Sequence, residues 1–563
     1  MNSSRASASS SHETLADPGA PSVNSTAVPE MKKLPEPNEV SSSESMSFVD
    51  WDGPDDPENP KKYVAKSWTV RTKWAAALAV SAFTFISPIA SSMIAPAAAQ
   101  VAEEFRITST IVESMVFSSF VLGYAVGPLF LGPLSEVYGR TVVIQAANLF
   151  FLVWNLACGF AQNKGQLIAF RLLSGIGGSA PLAVGGAVLS DMFDAQDRGK
   201  AIAIYSLAPL LGPAIGPIAG AWIAERSTWR WVFRSTTIAD AFIQVIGLVF
   251  LRETYAPVLL ARKAKRMSKT ADAEKANTQP LRTIYQRQGI ISWKERMSKA
   301  VFRPFVMFWQ EPILQVFGVY LAFLYGMIYL VIGTIPTIYL TIYHEQVGFS
   351  GLHYIALGLG FFVASQVNAR ALDKIYVYLR DRNGGVGVPE YRLPPMVPGS
   401  IFLPLGLLLF GWGATAHLPW IVLDILVLTL PQGLVFIGAG IILPFQCVQS
   451  YLIDTFGMWS ASVTSTTSSA YPAMAAVSCF RSLAGFGFPL FAPAMYSALG
   501  YGKADTILAA LALAIGCPAP FIFWYYGERI RGASKRATTG QPIAKVAPAP
   551  TPEPVTADKP ATQ

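Results

Sequence analysis

"GPLSEVYGR", Gly132–Arg140, is a short polar turn between two long apolar runs. A hairpin between helices needs only a turn, yet this one carries an acid and a base, Glu136 and Arg140, four residues apart. At that spacing they can pair with each other or with neighbouring helix ends. Gly132 and Gly139 permit close approach and tight turning, and Pro133 fixes one backbone angle. Two readings follow. The turn either sets topology and nothing more, or it is a charge cluster that holds two parts of the molecule together in one state and releases them in another. What the turn joins decides between them.

The flanking runs belong to a chain of 563 residues that is 52% hydrophobic and 14% charged, with a mean hydropathy of +0.40. Soluble domains carry about 25% charged residues, so the balance indicates a chain whose solvent is largely lipid. The net charge of +8 does not indicate nucleic acid, because the basic residues lie in a few hydrophilic stretches between apolar segments. Cys158, Cys447, Cys479 and Cys517 all fall inside apolar runs without metal-like spacing and read as reduced packing residues. No metal or cofactor is expected.

A helix crossing the hydrocarbon needs about 20 mostly apolar residues. Such runs occur near Trp74–Ala99, Val112–Leu131, Thr141–Phe160, Leu167–Ser190, Ala201–Ala224 and Trp231–Leu251. A second set lies near Ile313–Tyr343, Tyr354–Leu372, Met396–Thr415, Trp420–Gln446, Tyr471–Ser497 and Thr506–Tyr526. The expected architecture is an all-α membrane protein of twelve transmembrane helices in two six-helix halves. Residues 74–251 form the first half, 252–311 a polar central loop and 312–526 the second half. Residues 1–73 and 527–563, rich in Ser, Pro, Ala and Thr, read as disordered tails. The central loop carries Arg262, Lys263, Lys265, Arg266 and Lys269, and the joint after the eighth run carries Arg370, Lys374, Arg380, Arg382 and Arg392, whereas "HEQVGFSGLH" on the alternate side has no Lys or Arg. The positive-inside rule therefore predicts both termini and the central loop in the cytoplasm.

Gly and Pro recur inside the spans, as in "SGIGGSA" and "AGFGFPLFAP". Small residues let helices approach closely in lipid, and helix breaks are tolerated where neighbours or a cavity satisfy the freed groups. Six plus six helices with such breaks point to a transporter with its site near the midplane between two halves.

The opening turn resembles the joint between helices two and three of the major facilitator superfamily, in the form used by fungal twelve-span drug:proton antiporters. Four further stretches support the resemblance: "RLLSGIGGSA" (Arg171–Ala180) is similar to the fourth-helix motif, "LGPAIGPIAGAWI" (Leu211–Ile223) to the fifth-helix antiporter motif, "WRWVF" (Trp229–Phe233) to the start of helix six, and "WDGPDDPENPKKY" (Trp51–Tyr63) to the lead-in before the first span. The resemblance implies proton-coupled export of drugs or a fungal secondary metabolite by alternating access, with no enzymatic activity, from a plasma membrane. The expected partners are small organic substrates, protons and the lipid bilayer, and a monomer is expected. It also gives Gly132, Glu136, Gly139 and Arg140 a gating role. A degenerate second copy, "LDKIYVYLRDRNGG" (Leu372–Gly385), adds Asp373 at the place an internal repeat requires.

Arg171 is implicated by the resemblance in proton coupling. A mid-span charge is costly and functional by default, with snorkelling the alternative. Glu113 and Asp240 are each read either as a proton carrier or as a structural partner; Asn155, Asp424 and Arg481 are further polar groups at membrane depth. Gly212, Gly216 and Gly220 recur every four residues with Pro213 and Pro217 nearby, which indicates a close helix seam; the functional reading sets that seam against the other half to prevent leak. Tyr325 and Tyr329 in the seventh span are candidates for substrate contact, or else packing residues. Neither "RGKA" nor "YGKA" forms a phosphate loop, so ATP-driven pumping is not expected. Export of a small cationic metabolite such as a polyamine, uptake, and a transport-dead receptor role remain alternatives. Residues Val463–Pro472 read as an insertion before helix eleven or as an unspliced intron, which the mature transcript distinguishes.

Overall fold

The computed structural model describes residues 48–49, 51, 68–193, 195–274, 282–283, 293–420, 423, 433–457 and 470–533. The expected tails, Asp424 and residues 463–469 lie outside the described residues, apart from the tail residues adjoining the first and last helices and Phe48, Val49 and Trp51.

The first half is built from α1 (Val70–Ser92), the short α2 (Ala98–Glu104), α3 (Thr110–Tyr138), α4 (Arg140–Cys158), α5 (Lys164–Met192), α6 (Ala195–Arg226) and α7 (Trp229–Phe250). Two of these helices, α1 and α5, start with side-chain caps. The Thr69 hydroxyl accepts from the Thr72 N–H at 3.2 Å and the Asn163 carboxamide from Gln166 N–H at 2.9 Å, which satisfies amides that helix geometry leaves open. The second half comprises α10 (Pro312–Thr341), α11 (Val347–Leu352), α12 (Tyr354–Arg382), α13 (Met396–Thr415), α14 (Gly433–Gly457), α15 (Ala470–Gly516) and α16 (Pro518–Ala533). Between the halves, α8 (Ala256–Glu274) and α9 (Trp293–Gln310) give the central segment helical structure, and Phe48–Val49 (β1) pairs in parallel with Arg282–Thr283 (β2).

Among the described residues ten stretches are long and apolar enough to span a membrane. The bent pair Lys200–Pro209 and Leu211–Arg226 adds an eleventh. The stretch Ala473–Ala533 is 61 residues long, about three times a single crossing. It is broken at Gly500, whose φ of +74° interrupts the helix, so it supplies the eleventh and twelfth spans in chain order. The fold is the expected twelve-helix membrane protein. Helix ends differ from the apolar runs: α1 starts at Val70, α16 reaches Ala533, and the described part of the tenth span is Gly433–Gly457, further along the chain than the apolar run indicated.

Exposed apolar side chains such as Ile238, Phe242 and Val249 line one side of the sixth span, where lipid takes the place of water. The halves meet along two helix pairs, the second span with the eleventh and the fifth with the eighth.

Candidate functional site

At the opening turn, Gly139 adopts φ +108° between α3 and α4, a conformation costly for any residue with a Cβ. A methyl group there would also overlap the Glu253 carboxylate. That carboxylate caps the start of α4: its Oε1 accepts from the Arg140 N–H at 2.9 Å, and from Thr254 and Tyr255 N–H at 3.1 and 3.0 Å. The Thr141 hydroxyl donates to the Arg252 carbonyl at 2.7 Å. The chain leaving the sixth span therefore clamps the second-to-third joint. The Arg140 side chain donates to Ser135 Oγ at 2.7 Å, lies 3.6 Å from Asp191 at the end of the fourth span, and covers the Tyr255 ring at 4.6 Å. Of the two pairings open to Arg140, the structure forms the one with a neighbouring helix end. Glu136 faces the charges of Arg140 and of Arg303 on α9, which ties the joint to the helix that precedes the seventh span.

The second half repeats this plan. Arg392, just before the ninth span, pairs with Asp373 at the end of the eighth span (2.5 Å) and Asp454 at the end of the tenth (2.9 Å), and covers the Tyr376 ring at 4.4 Å. Burial works to lower the pKa of Arg392, but Asp454 and Asp373 outweigh it and hold the pKa above its ordinary value. Asp373 is 76% exposed, so its ion pair contributes at most about 1 kcal/mol; the more sheltered Asp454 is the firmer partner. Arg531 after the twelfth span reaches back to Glu390 at 2.9 Å, as Glu253 after the sixth reaches back to Arg140.

The glycine seam of the fifth span faces elsewhere than expected. A Cβ on Gly212 would meet Pro88, one on Gly216 would meet Ser92 and Ile89, and one on Gly220 the Met93 carbonyl. All four neighbours belong to the first span or the turn after it, so the seam closes within the first half and not against the other half. The period of four identified a close contact but carries no information about its partner. The second half meets the fifth span on an adjacent face, and there it supplies the glycines: Gly358 packs against Ala214, and Gly351 against Ala221 and the Pro217 carbonyl. Pro213 and Pro217 are buried within α6. At the end of this contact remote from the central segment the Gly348 N–H donates to Glu225.

Arg171 is fully buried and does not snorkel. It donates to the carbonyls of Ala90 (2.8 Å), Ser91 (2.9 Å), Val116 (3.2 Å) and Phe117 (2.9 Å), and its guanidinium lies 4.9 Å from the Phe120 ring. Ala90 and Ser91 are in the last turn of α1, where carbonyls lack intrahelical donors and the helix end is negative. Bonds to a charged donor contribute about 1.5–3 kcal/mol each, enough together to offset a desolvation penalty of several kcal/mol. Among the described residues no carboxylate pairs with it. Glu113 is half-buried on α3, one turn before Val116. Asp240 is fully buried and accepts from Asn148 Nδ2 at 3.0 and 3.2 Å, between the third and sixth spans.

Tyr325 and Tyr329 come together at the centre, with rings 5.2 Å apart. The Tyr329 ring lies 5.8 Å from Phe117, and its hydroxyl is 3.1 Å from Ser91 Oγ. Gly485 of the eleventh span packs against Tyr325, Tyr329 and Val121. Ser91 therefore links the two halves: its carbonyl holds Arg171 and its hydroxyl meets Tyr329. Beside this cluster a cavity of about 90 Å³ is lined from both halves, by Pro128 and Leu182 on one side and by Leu321, Phe445, Gln449 and Arg481 on the other.

The profile of the Major Facilitator Superfamily matches residues 80–480. The chain belongs to the major facilitator superfamily. Among curated relatives it is 41% identical over 503 residues to the efflux pump vrtL of Penicillium aethiopicum, covering 89% of this chain and 94% of that protein. It is 39% identical over 493 residues to the MFS-type transporter penM of Penicillium rubens, covering 88% and 91%. The fold matches a partially occluded, inward-open structure of the xylose transporter XylE from E. coli with a TM-score of 0.57 at 13% identity, over 84% of this chain and 100% of that one. This superfamily member is thus a multi-pass membrane transporter and not an enzyme. Sequence reasoning missed Ser91, Asp191, Glu253 and Asp454 in this transporter, and counted Arg392 only toward orientation. Asp191 and Asp454 had a legible signal, each lying near the end of an even-numbered span; Glu253 had the adjacent "RETY"; Ser91 had none.

Proposed function

We infer that the protein is a proton-coupled exporter of small organic molecules, working by alternating access in a plasma membrane as a monomer, with both termini and the central segment in the cytosol. Relatives described as efflux pumps support export. The observation that carries the reading is Ser91, which joins the buried Arg171 to Tyr329 of the opposite half. A rocking motion that parts the halves breaks the Ser91–Tyr329 contact, so the state of the central cleft is felt one residue from the arginine. Glu113, half-buried near the carbonyls that hold Arg171 and without a side-chain partner among the described residues, is the group assigned to carry the proton. Asp240, bonded to Asn148, fixes the third span against the sixth. Glu136, Arg140 and Asp373 act with Asp191, Arg392 and Asp454 as two gating clusters on the cytosolic side.

The test is uphill efflux of a transported dye from proteoliposomes under an imposed pH gradient. Dissipating the gradient should abolish it. Arg171→Ala should uncouple it while leaving downhill exchange, and Glu113→Gln should remove the pH dependence that Asp240→Asn retains. Undiminished uphill export without any proton gradient would sink the mechanism.

A further inference from the structure

We propose that Arg481 is the specificity residue of the central cavity and that the preferred cargo is an aromatic organic acid, carried as its anion. The proposal rests on the export reading above and names the substrate class of the same site.

Arg481 lies about a third of the way along the eleventh span, between Ala470 and the break at Gly500, and lines the cavity between the halves. Its Nε is buried and has no hydrogen-bond acceptor. Among the described residues no carbonyl or carboxylate receives its guanidinium; its near neighbours are the rings of Tyr325, at 4.9 Å, and Phe445, at 5.5 Å. Other buried or half-buried cations of the bundle are committed. Arg171 holds four carbonyls, Arg392 two aspartates, Arg531 Glu390, and the Lys73 ammonium the Met192 carbonyl at 2.9 Å. A sheltered guanidinium without a counter-charge is costly, and in a membrane interior such a group marks a substrate path.

The surroundings select the ligand chemistry. Among the described residues no Asp or Glu lines the cavity, whose polar members besides Arg481 are Gln449 and Ser478. A guanidinium held over aromatic faces keeps its planar fork free for bidentate contact with a carboxylate. Phe445, which lines the cavity, presents flat apolar surface to a fused or aromatic scaffold. A polyamine or other cation would meet like charge and no acid among the described residues, so this lining favours an anion over that alternative. The cavity, at about 90 Å³, is far smaller than the roughly 300 Å³ of a small-molecule pocket. The halves must therefore part to admit cargo, and Arg481 travels with the second half as they do.

The charge transferred per cycle follows. Exchanging one monoanion outward for one proton inward moves two positive charges inward, a neutral cargo moves one, and a monocation moves none.

The experiment uses the full chain in proteoliposomes, with matched pairs of probes: aromatic carboxylic acids and their primary amides, plus aromatic amines. Wild type should prefer acids, and flux of the acid should respond to an imposed membrane potential about twice as steeply as flux of the amide. Arg481→Gln should reduce the acid-over-amide preference by at least about tenfold, the loss expected for a hydrogen bond to a charged group. Arg481→Lys should keep a reduced preference. Equal transport of acids and amides by wild type, or an unchanged preference in both variants, overturns the proposal while leaving export intact. If the glutamine variant does not fold, the lysine variant and the potential dependence of wild type decide. Gradient-driven transport of none of the probes would instead count against the export reading and take this proposal with it.

Discussion

Gly139 has two independent reasons to be glycine, a backbone φ of +108° and the Glu253 carboxylate lying where a Cβ would go. Gly139→Ala should therefore destabilise the protein by about 1–3 kcal/mol through strain and the displaced cap, seen as a lowered midpoint of thermal unfolding in detergent. Gly186→Ala is the control. Nothing lies within 4 Å of a Cβ there, and alanine in a helix interior is favoured by about 0.5–1 kcal/mol, so its midpoint should hold or rise. Residue identity alone showed that Gly139 and Arg171 were special, because a glycine at a tight joint and a charge in an apolar run each need a physical reason. It could not show that Arg171 is satisfied by carbonyls alone, since backbone acceptors leave no mark on the side-chain pattern. Nor could it distinguish Asp240, held by an asparagine of the adjoining third span, from Glu113, which stands without such a partner among the described residues.

At the scale of helices, the two charge clusters show how an internal repeat becomes hard to read. In the first half the acid and base of the joint are four residues apart; in the second, Asp373 and Arg392 are nineteen apart across "RDRNGGVGVPEYR". The spatial plan is kept while the spacing is lost, so a pattern search finds Asp373 and misses its partner. The fifth span gives the complementary lesson. Its glycine period was legible, but the helix it meets is a property of the assembled bundle. The true contact between halves, Gly358 against Ala214, is close enough for a disulfide. In a background lacking Cys158, Cys447, Cys479 and Cys517, the pair Ala214→Cys and Gly358→Cys should cross-link on oxidation, stop transport, and recover it on reduction. Cross-linking that leaves transport at full rate would mean that the fifth and eighth spans do not part during the cycle.

Across the whole molecule, the twelve spans and their division were legible because a lipid solvent enforces long uninterrupted apolar runs. The central segment was less so: α8 and α9 are helical without being apolar enough to span, a state that hydropathy alone reads as loop. Orientation remains a matter of charge asymmetry, and it is testable. Cysteine at Gln346, an exposed position in "HEQVGFSGLH", should react with a membrane-impermeant maleimide added to intact cells, and cysteine at Ser268 should react only after permeabilisation. Labelling of the Ser268 position in intact cells would invert the topology and move both charge clusters to the outside.

The interlock of the first and fifth spans also bears on biogenesis. Backbones that meet through Gly212, Gly216 and Gly220 leave no side chains to adjust later, so the two helices must dock before anything else fills the groove. A packed core formed by Trp68, Val80, Phe83, Val184, Phe193 and Leu251 likewise draws only on the first half and the segment that leads into it. Chains are made from the amino terminus and fold in units as they emerge. The ribosome therefore delivers every partner of this seam before Pro312 is synthesised, and the first six helices can serve as the template on which the last six are assembled.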